Sequence, residues 1–418
     1  MRLPTLIAFC LLLALSEVDA ADKVDHRFLQ LSVDGTRHQG RQLVSDDEVC
    51  WLLKQDGRLQ SIDLSQVTEF KQIGNVFRPY STNEMRTRLI AEFGKTYEVD
   101  TRGSQVLIAP TGKARVFAEI VEATAKSYAA YFGRRNFKLD KTETPLVTII
   151  FPTQKQFLDY CGLDQVKHTQ GLRGYYSPMS NRVALYLEQP TAVARSIAGN
   201  VGLPFRVSPP DPLRQLTHFG APPVDTGFRD TLTHETTHQL GFNSGLHSRL
   251  GDDPTWIVEG IAMLFEGDAN RDDARQQTTV FQRMNRERYV WFQQYHQSRR
   301  QPKSLEEFLT TNALFTTNTL DAYSESWALT FFLAETRSSS LSAYLKKLAH
   351  RTDLGEYTPM KRLHDFQAIF GKDIPHLEMQ YLRFMKELES APQPTPTDAT
   401  ATATELLLTP RTSPVTLR

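Results

Sequence analysis

The sequence predicts an α+β protein in which a small all-β unit precedes a mixed segment and a long, mostly helical part. Three observations lead to this fold class. Short runs of partly alternating apolar and polar residues fill positions 25–77, which is the spacing of half-buried strands. From position 80, helical spacings and β-branched runs succeed one another. Almost every segment after Gly227 has helical periodicity, up to Leu388.

The N-terminal unit is predicted from five short runs separated by turn signals. Asp34-Gly35 and Asp56-Gly57 are dipeptides typical of tight hairpin turns. The runs around them are four to seven residues long and read FLQLSV, RQLV, VCWLLK, RLQSIDL and VTEFKQI. This density of short strands predicts a small, SH3-like barrel or curled sheet over residues 21–78. Its role stays open between a binding module and an accessory domain that packs on the next one.

The mixed segment is predicted from six runs, of which three have helical spacing and three are strand-like. The helical runs are Asn83 to Phe93, Ala114 to Phe132 and Gln154 to Cys161, and the strand-like runs are Gln105 to Ala109, Leu146 to Phe151 and Arg182 to Leu187. Six prolines between residues 203 and 224 then predict a long surface loop. We expect residues 79–389 to form the second domain.

The two ends of the chain are expected to lie outside these domains. Arg2, the apolar run LPTLIAFCLLLAL and a small-residue exit predict a secretory signal peptide over residues 1–20, cleaved near Ala20. The protein would then be exported to the periplasm, the cell envelope or the exterior, with no membrane span in the mature chain. An uncleaved anchor is the alternative, although the run is short for a membrane span. Residues 390–418 are rich in Thr, Pro and Ala and are predicted to be disordered.

Composition excludes several classes of protein. The 418 residues carry 48 Lys+Arg and 48 Asp+Glu, and this balance argues against a nucleic-acid partner recognised through a basic surface. Three cysteines exclude a scaffold built from disulfides. Cys50 and Cys161 would remain after cleavage, and they either pair in an oxidising compartment or stay as buried free thiols. The sequence does not indicate an oligomeric state.

A metal-binding pattern lies in the run FRDTLTHETTHQLGF, which ends at Phe242. His234 and His238 are four positions apart, so on a helix their imidazoles lie on one face and can bind one ion from the same side. Glu235 follows the first histidine and would lie beside the metal ion. This is the HExxH arrangement of zinc metallopeptidases.

The residues around the motif predict a buried helix. Apart from Glu235 and the two histidines, no ionisable residue lies between Thr231 and Gly245. A helix buried under a cleft requires this, because an unpaired buried charge is costly. Gly241 and Gly245 are expected to end the helix.

A catalytic zinc site needs a third protein ligand and leaves the fourth position for water. The downstream candidates are His247, Asp252, Asp253, Glu259 and Glu266. Glu259 is favoured because it lies in the apolar run PTWIVEGIAMLFE, where a lone carboxylate is costly unless it is paired or metal-bound. Gly260 is expected to permit close approach to the metal helix. Glu266 is expected to support the site or to end its helix.

These residues resemble the gluzincins, zinc peptidases with HExxH on one helix and a glutamate on the next. The W-x-x-E-G-x-A run is similar to the third-ligand helix of their aminopeptidase-like branch. The resemblance implies a zincin-like metallopeptidase domain, a peptide or protein substrate, and Zn2+ held by His234, His238 and Glu259. The thermolysin-like branch has an aspartate where this chain has Met263. The metzincin pattern fails, because Ser244 stands in place of its third histidine.

The resemblance implies two further roles. In related gluzincins a tyrosine downstream of the ligands donates a hydrogen bond to the oxyanion, and Tyr323 in DAYSESWAL is the best match. A packing tyrosine at a helix start is the alternative. The strand Arg182 to Leu187 would be the edge over the cleft that pairs with extended substrate, or an ordinary sheet strand. More narrowly, the chain resembles a family of exported bacterial proteins of unknown function over roughly residues 25–390.

The expected function is hydrolysis of peptide bonds by an exported zinc-dependent peptidase. Glu235 would act as general base on a zinc-bound water, and Tyr323 would stabilise the oxyanion. An endopeptidase is favoured, since the strand from Arg182 has no acidic residue to hold a free amine. Three alternatives stay open. They are a catalytically silent zincin-fold protein that binds a partner at the cell envelope or surface, a structural envelope protein, and a metal hydrolase with a non-peptide substrate.

Overall fold

The computed structural model describes residues 26–167, 171–187, 226–266, 279–351 and 356–389. Within them the protein is mixed α+β, with an all-β N-terminal region and a helical C-terminal part. The predicted signal peptide, the proline-rich loop of 203–224 and the predicted tail lie outside the described residues. Among the helices that the structure describes, none combines the length and apolarity needed to cross a bilayer.

The N-terminal sheet has five antiparallel strands, and all five sequence predictions are confirmed. The strands are β1 (Phe28–Val33), β2 (Thr36–Ser45), β3 (Val49–Leu53), β4 (Leu59–Asp63) and β5 (Val67–Gly74), in the order β4-β3-β2-β1-β5. A short 3-10 turn, Leu64–Gln66, joins β4 to β5. The first half of β2 pairs with β1 and its second half with β3. Asp34 and Gly35 both have positive φ, as a two-residue hairpin turn with this twist requires.

The second sheet places three parallel strands between two antiparallel edges. Its strands are β6 (Tyr97–Arg102), β7 (Gln105–Pro110), β8 (Leu146–Phe151), β9 (Gly174–Ser177) and β10 (Arg182–Tyr186), in the order β6-β7-β8-β10-β9. The three parallel strands are buried on both faces, which explains their continuous apolar runs. The two edge strands were not predicted. Their sequences are short or mixed in polarity, and β9 runs directly into a turn.

Twelve helices accompany the sheets in the described part of the chain. They are α1 (Thr82–Phe93), α2 (Ala114–Arg134), α3 (Gln154–Leu163), α4 (Thr226–Asn243), α5 (Thr255–Met263), α6 (Arg286–Ser298), α7 (Leu305–Thr310), α8 (Ala313–Thr317), α9 (Thr319–Thr336), α10 (Ser338–Ala349), α11 (Pro359–Phe370) and α12 (Ile374–Glu389). The largest apolar core lies in the helical part. It includes Trp256 and Trp327, and both side chains are almost completely buried. The predicted predominance of helix after Gly227 is confirmed.

The strand alternation of β7 assigns the helices to opposite faces of the second sheet. Val106 and Ile108 pack in one cluster with Met85 of α1 and with residues of α3. The intervening Leu107 belongs to a second cluster with residues of α2 and with Leu232 of α4. Because successive strand side chains point to opposite faces, α1 and α3 cover one face and α2 and α4 cover the other.

Gly260 permits close helix packing, but against a different helix from the one expected. A Cβ atom at this position would lie 2.0 Å from Thr330 Oγ1 and 2.7 Å from the carbonyl oxygen of Ser326. Both residues belong to α9, so the expectation that Gly260 approaches the metal helix α4 is wrong. The missing side chain lets α5 press against the helix that carries Tyr323.

The N-terminal sheet contacts the rest of the chain through the turn between β3 and β4. The Arg249 guanidinium, in the connection between α4 and α5, donates to the carbonyl of Gly57 over 2.8 Å and to that of Pro178 over 2.8 Å. The amide of Leu59 donates to the carbonyl of Met179 over 2.7 Å. The sheet is therefore packed on the segment that joins the two helices of the predicted metal motif.

Cys50 and Cys161 are free thiols, and both are buried. Burial raises the pKa of each thiol to about 11. A thiol with so high a pKa carries almost no thiolate at neutral pH, so neither is a nucleophile. The open choice between a disulfide and two buried thiols is therefore decided for the thiols.

Candidate metal centre

Helix α4 carries the HExxH residues and is buried over most of its length. Thr233, Thr236 and Thr237 are fully buried, and His234 and His238 are each less than a tenth exposed. The absence of other charges in this run is thus explained by burial, as predicted.

The end of α4 differs from the prediction in one respect. The helix continues through Gly241 to Asn243, and only Gly245, with φ of +78°, follows it as a left-handed residue. Gly241 is required for another reason. A Cβ atom there would lie 2.6 Å from Cδ2 of His247, so the glycine makes room for that imidazole.

Polar side chains on α4 hold it to the second sheet. The Gln239 amide donates to the carbonyl oxygens of Val147 in β8, over 3.1 Å, and of Asn181, over 2.9 Å. The Asn243 and Asn181 side chains exchange two hydrogen bonds of 2.7 and 2.9 Å. These bonds set the height of the helix relative to the strands, and with it the position of both histidines.

Helix α5 brings Glu259 to the two imidazoles. Nε2 of His234 lies 3.0 Å from Nε2 of His238 and 3.2 Å from Oε2 of Glu259, and the third separation, between His238 Nε2 and Glu259 Oε2, is 3.7 Å. One donor atom of each residue lies within 4.8 Å of the other two, so this group could hold a metal ion. Glu259 therefore lies beside both histidines of the motif, as its place in an apolar run had led us to expect.

The other four ligand candidates do not join this group. Asp252 bonds to Arg362 over 3.0 Å and is mostly exposed. His247 and Asp253 are buried next to each other, with His247 Nδ1 and Asp253 Oδ2 separated by 3.7 Å. Burial lowers the pKa of His247 to about 3 and raises that of Asp253 to about 6, so burial favours the uncharged form of each group.

Glu266 holds the first histidine from behind. Nδ1 of His234 donates to Oε1 of Glu266 over 2.9 Å, which leaves Nε2 facing Glu259. Glu266 in turn accepts from Asn285 Nδ2 over 3.0 Å and from Arg288 Nε and Nη2 over 3.1 and 3.2 Å. A carboxylate on the second ring nitrogen sets the tautomer and orientation of a metal-binding imidazole.

Asn285 and Arg288, at the start of α6, were not predicted to take part in the site. Asn285 caps that helix, since its side chain accepts from the Arg288 amide. The cap pattern was visible in the sequence, but it predicts only a helix start. Nothing local indicates that these two side chains reach a carboxylate about twenty residues upstream.

The electrostatics of the group follow from its burial and its pairing. Burial disfavours the charged forms, but contacts with Glu259 and Glu266 outweigh it for His234 and raise the pKa of that imidazole well above its usual value. Against the same burial, His238 and His234 hold the pKa of Glu259 far below its usual range. Arg288 and His234 likewise lower the pKa of Glu266 to about 2. Both carboxylates are therefore anionic at neutral pH, Glu259 beside the two imidazoles and Glu266 in its bonds to His234 and Arg288.

Glu235 lies one residue after the first histidine, next to the edge of the second sheet. Burial raises its pKa above the usual value, although the imidazoles of His234 and His238 oppose this shift. The backbone N–H of Tyr176 in β9 also opposes the rise in this pKa, so the edge strand lies near the carboxylate. A raised pKa makes this carboxyl group a better proton acceptor than a free glutamate, which suits a general base.

Tyr323 lies at the start of α9, close enough to Glu259 for that carboxylate to influence its phenol. The charge of Glu259 has the largest effect, and with burial it raises the pKa of Tyr323 well above the usual value. The Arg288 guanidinium lies 5.6 Å from the Tyr323 ring centre. The hydroxyl is therefore protonated at neutral pH and able to donate a hydrogen bond.

The assignment of β10 as the strand at the edge of the cleft is wrong. β10 pairs with β8 on one side and with β9 on the other, so its backbone groups are used within the sheet. Within the described residues, β9 is the last strand on this side. The edge next to helix α4 is therefore β9.

Comparisons with known proteins found a matching family and similar solved structures. Residues 229–355 match the family described as "Protein of unknown function (DUF1570)". This segment contains His234, His238, Glu259 and Tyr323, and the description of the family names no activity. Among curated proteins none matches the chain.

One of the similar solved structures is described as the crystal structure of a functionally unknown conserved protein mutant from Bacillus anthracis str. Ames. It is similar with 11% identity and a TM-score of 0.33, over 88% of this chain and 69% of that one. A likeness at this score carries no argument about fold or function.

Proposed function

We propose that the protein is a zinc-dependent peptidase of the gluzincin type, with a zincin-like fold around His234, His238 and Glu259. The observation that carries the proposal is the convergence of three side chains from two helices. Nε2 of His234, Nε2 of His238 and Oε2 of Glu259 lie close together, and Glu235 follows His234 in the chain without joining the group. Packing alone does not explain this arrangement, because three ionisable side chains are desolvated together in one small buried space.

The donor set fits zinc. Ligands about 2.0–2.1 Å from a tetrahedral ion are about 3.3 Å apart, and the three observed separations of 3.0, 3.2 and 3.7 Å bracket this value. Oε2 of Glu259 is buried and accepts no hydrogen bond of normal geometry from the described chain. Two imidazoles and one carboxylate are a ligand set of catalytic zinc sites, in which one position stays open.

When bound, zinc supplies a water of lowered pKa and polarises the carbonyl under attack. The side chains provide the rest of the chemistry. Glu235 takes a proton from the attacking water and returns it to the leaving amine. Tyr323 donates its phenolic hydrogen bond to the developing oxyanion. Glu266 keeps the His234 ring in orientation throughout.

An extended substrate would lie along β9 in this proposal, not along β10. An edge strand has unpaired backbone groups that can pair with a peptide. The effect of the Tyr176 amide on the pKa of Glu235 supports this choice, because it indicates that the edge strand lies near the proposed general base. An endopeptidase is favoured, since the β9 sequence Gly174-Tyr175-Tyr176-Ser177 holds no acidic residue that would bind a free amine.

The test is the variant Glu235→Gln, measured for both zinc content and cleavage of a degenerate peptide library. We expect about one zinc ion per chain in parent and variant, with cleavage lost only in the variant. Glu119→Gln, an exposed carboxylate on α2, is the matched control and should cleave like the parent. Equal cleavage by Glu235→Gln would refute the mechanism. A parent protein without zinc and without cleavage would instead favour a silent, partner-binding zincin fold.

His238→Ala tests the ligand assignment separately. Loss of one imidazole should remove most of the zinc, since two remaining ligands bind the ion far more weakly. Retention of a full complement of zinc would exclude this ligand set.

A further inference from the structure

A polar cavity, separate from the candidate metal centre, lies between the N-terminal sheet and helix α1. Its volume is about 530 Å³, within the range of cavities that hold small molecules. Residues of β2 and of the turn after β3 line one side, and residues of α1 with the first residue of β10 line the other. It is thus built at the contact between the two sheets, and neither region forms it alone.

The cavity lies on the opposite face of the second sheet from the metal centre. Arg182 bonds to Glu92 of α1 and to Tyr160 of α3, and these helices cover one face of the sheet. Leu232 of the metal helix α4 packs on the other face. A ligand in this cavity therefore does not occupy the proposed catalytic cleft.

The residues that line the cavity carry a net positive charge. Five cations, Arg37, Lys54, Arg58, Arg88 and Arg182, face only two carboxylates, Asp56 and Glu92. Glu92 is held by Arg182 through bonds of 2.7 and 3.0 Å, and Asp56 lies 3.6 Å from Arg58. Three cations remain in excess.

Those three cations have no carboxylate partner within ion-pair distance in the described part of the chain. The Arg88 guanidinium stacks on the Tyr80 ring at 3.9 Å, which orients it without neutralising it. Arg37 approaches from β2, and Lys54 from the turn after β3. Cations held around one cavity from three sides create a positive potential that attracts anions.

The Arg182 guanidinium forms a fixed part of the cavity wall. Its side chain is only 4% exposed, and it is held by Glu92 and by the Tyr160 hydroxyl.

We propose that this cavity binds a small polyanion that carries two or more carboxylate or phosphate groups. Arg37, Lys54 and Arg88 would contact separate anionic groups, since they belong to three different segments. This proposal does not depend on zinc or on peptidase activity. It assigns to the N-terminal sheet a share in ligand binding, in addition to its packing on the rest of the chain.

The test is calorimetric titration of the full-length protein with tricarballylate, a tricarboxylate, and with inorganic pyrophosphate. The variant Arg37→Gln/Arg88→Gln removes two cations from opposite walls. Lys71→Gln/Arg86→Gln is the matched control, because it removes the same charge from exposed positions on β5 and α1 that do not line the cavity. Chelation of any bound metal by a probe would be the same in all three proteins.

We expect at least one probe to bind the parent and the control equally, and to bind the cavity variant at least about tenfold more weakly. Binding of tricarballylate alone would assign carboxylates, and binding of pyrophosphate alone would assign phosphates. Equal affinity of parent and cavity variant would overturn the proposal. So would the absence of binding of both probes to the parent at about millimolar concentration.

Discussion

Glu266 accepts a hydrogen bond from Nδ1 of His234 over 2.9 Å, while Nε2 of the same ring faces Glu259. Glu259 lies within the apolar run 254–266 and Glu266 at its end, and they contact opposite edges of one imidazole. Glu259 could therefore bind a metal ion, whereas Glu266 orients the His234 imidazole that could bind the same ion.

Glu266→Gln should weaken metal binding without removing a ligand. The amide cannot accept as strongly as a carboxylate, and Arg288 would lose its charge partner. We expect a loss of about 10–100-fold in zinc affinity, measured by competition with a chromogenic chelator. Glu287→Gln, an exposed neighbour of Arg288, is the control and should bind zinc like the parent. Unchanged affinity of Glu266→Gln would mean that the ring is oriented by other contacts.

Tyr323→Phe should lower kcat for peptide cleavage while zinc content stays constant. If the phenol donates to the oxyanion, its loss costs about 10²–10³ in kcat, with a smaller effect on KM. Tyr344→Phe removes a buried hydroxyl that has no hydrogen-bond partner among the described residues, and it should not change kcat. If Tyr323 only packs, its variant and this control will have the same kcat.

Gly260→Ala should destabilise the protein through helix packing. The new methyl would meet the Ser326 carbonyl oxygen as well as Thr330 Oγ1, so the two helices must separate. We expect the free energy of unfolding in urea to fall by about 1–3 kcal/mol. Gly133→Ala in α2, where no atom lies within 4 Å of the added carbon, should be neutral or slightly stabilising. A similar result for both variants would contradict the close contact.

His247 should make folding stability sensitive to acid. Its pKa is lowered from about 6.5 when unfolded to about 3 when folded. The stabilisation that it gives is therefore complete above pH 6.5 and is lost as the pH falls toward 3. Asp253 acts in the opposite sense, because its pKa is raised to about 6 and its stabilisation is lost as the pH rises through that value.

Comparison with His247→Gln isolates the histidine. Measured with a chelator present, the difference in unfolding free energy between parent and variant should shrink by about 2–3 kcal/mol between pH 6.5 and 4. The contribution of Asp253 is present in both proteins and cancels to first order. A difference that does not vary with pH would mean that His247 titrates normally in the folded state.

Much of this protein could be predicted from local patterns in its sequence. Period-2 alternation identified the five N-terminal strands, and continuous apolar runs identified the three parallel strands of the second sheet. The i,i+4 spacing of His234 and His238 determined a shared helix face, since that geometry depends on only one turn of backbone. Glu259 was inferred from the energetic cost of a carboxylate in an apolar helix.

Contacts between distant segments were decided only by the tertiary structure. It assigned the sheet edge to β9, the helix packed against Gly260 to α9, and the second nitrogen of His234 to Glu266. It also brought β2 and α1 together around a positively charged cavity. Local periodicity specifies which face of an element is buried. It does not specify the partner of that face, because many distant segments could cover it equally well until the whole chain packs.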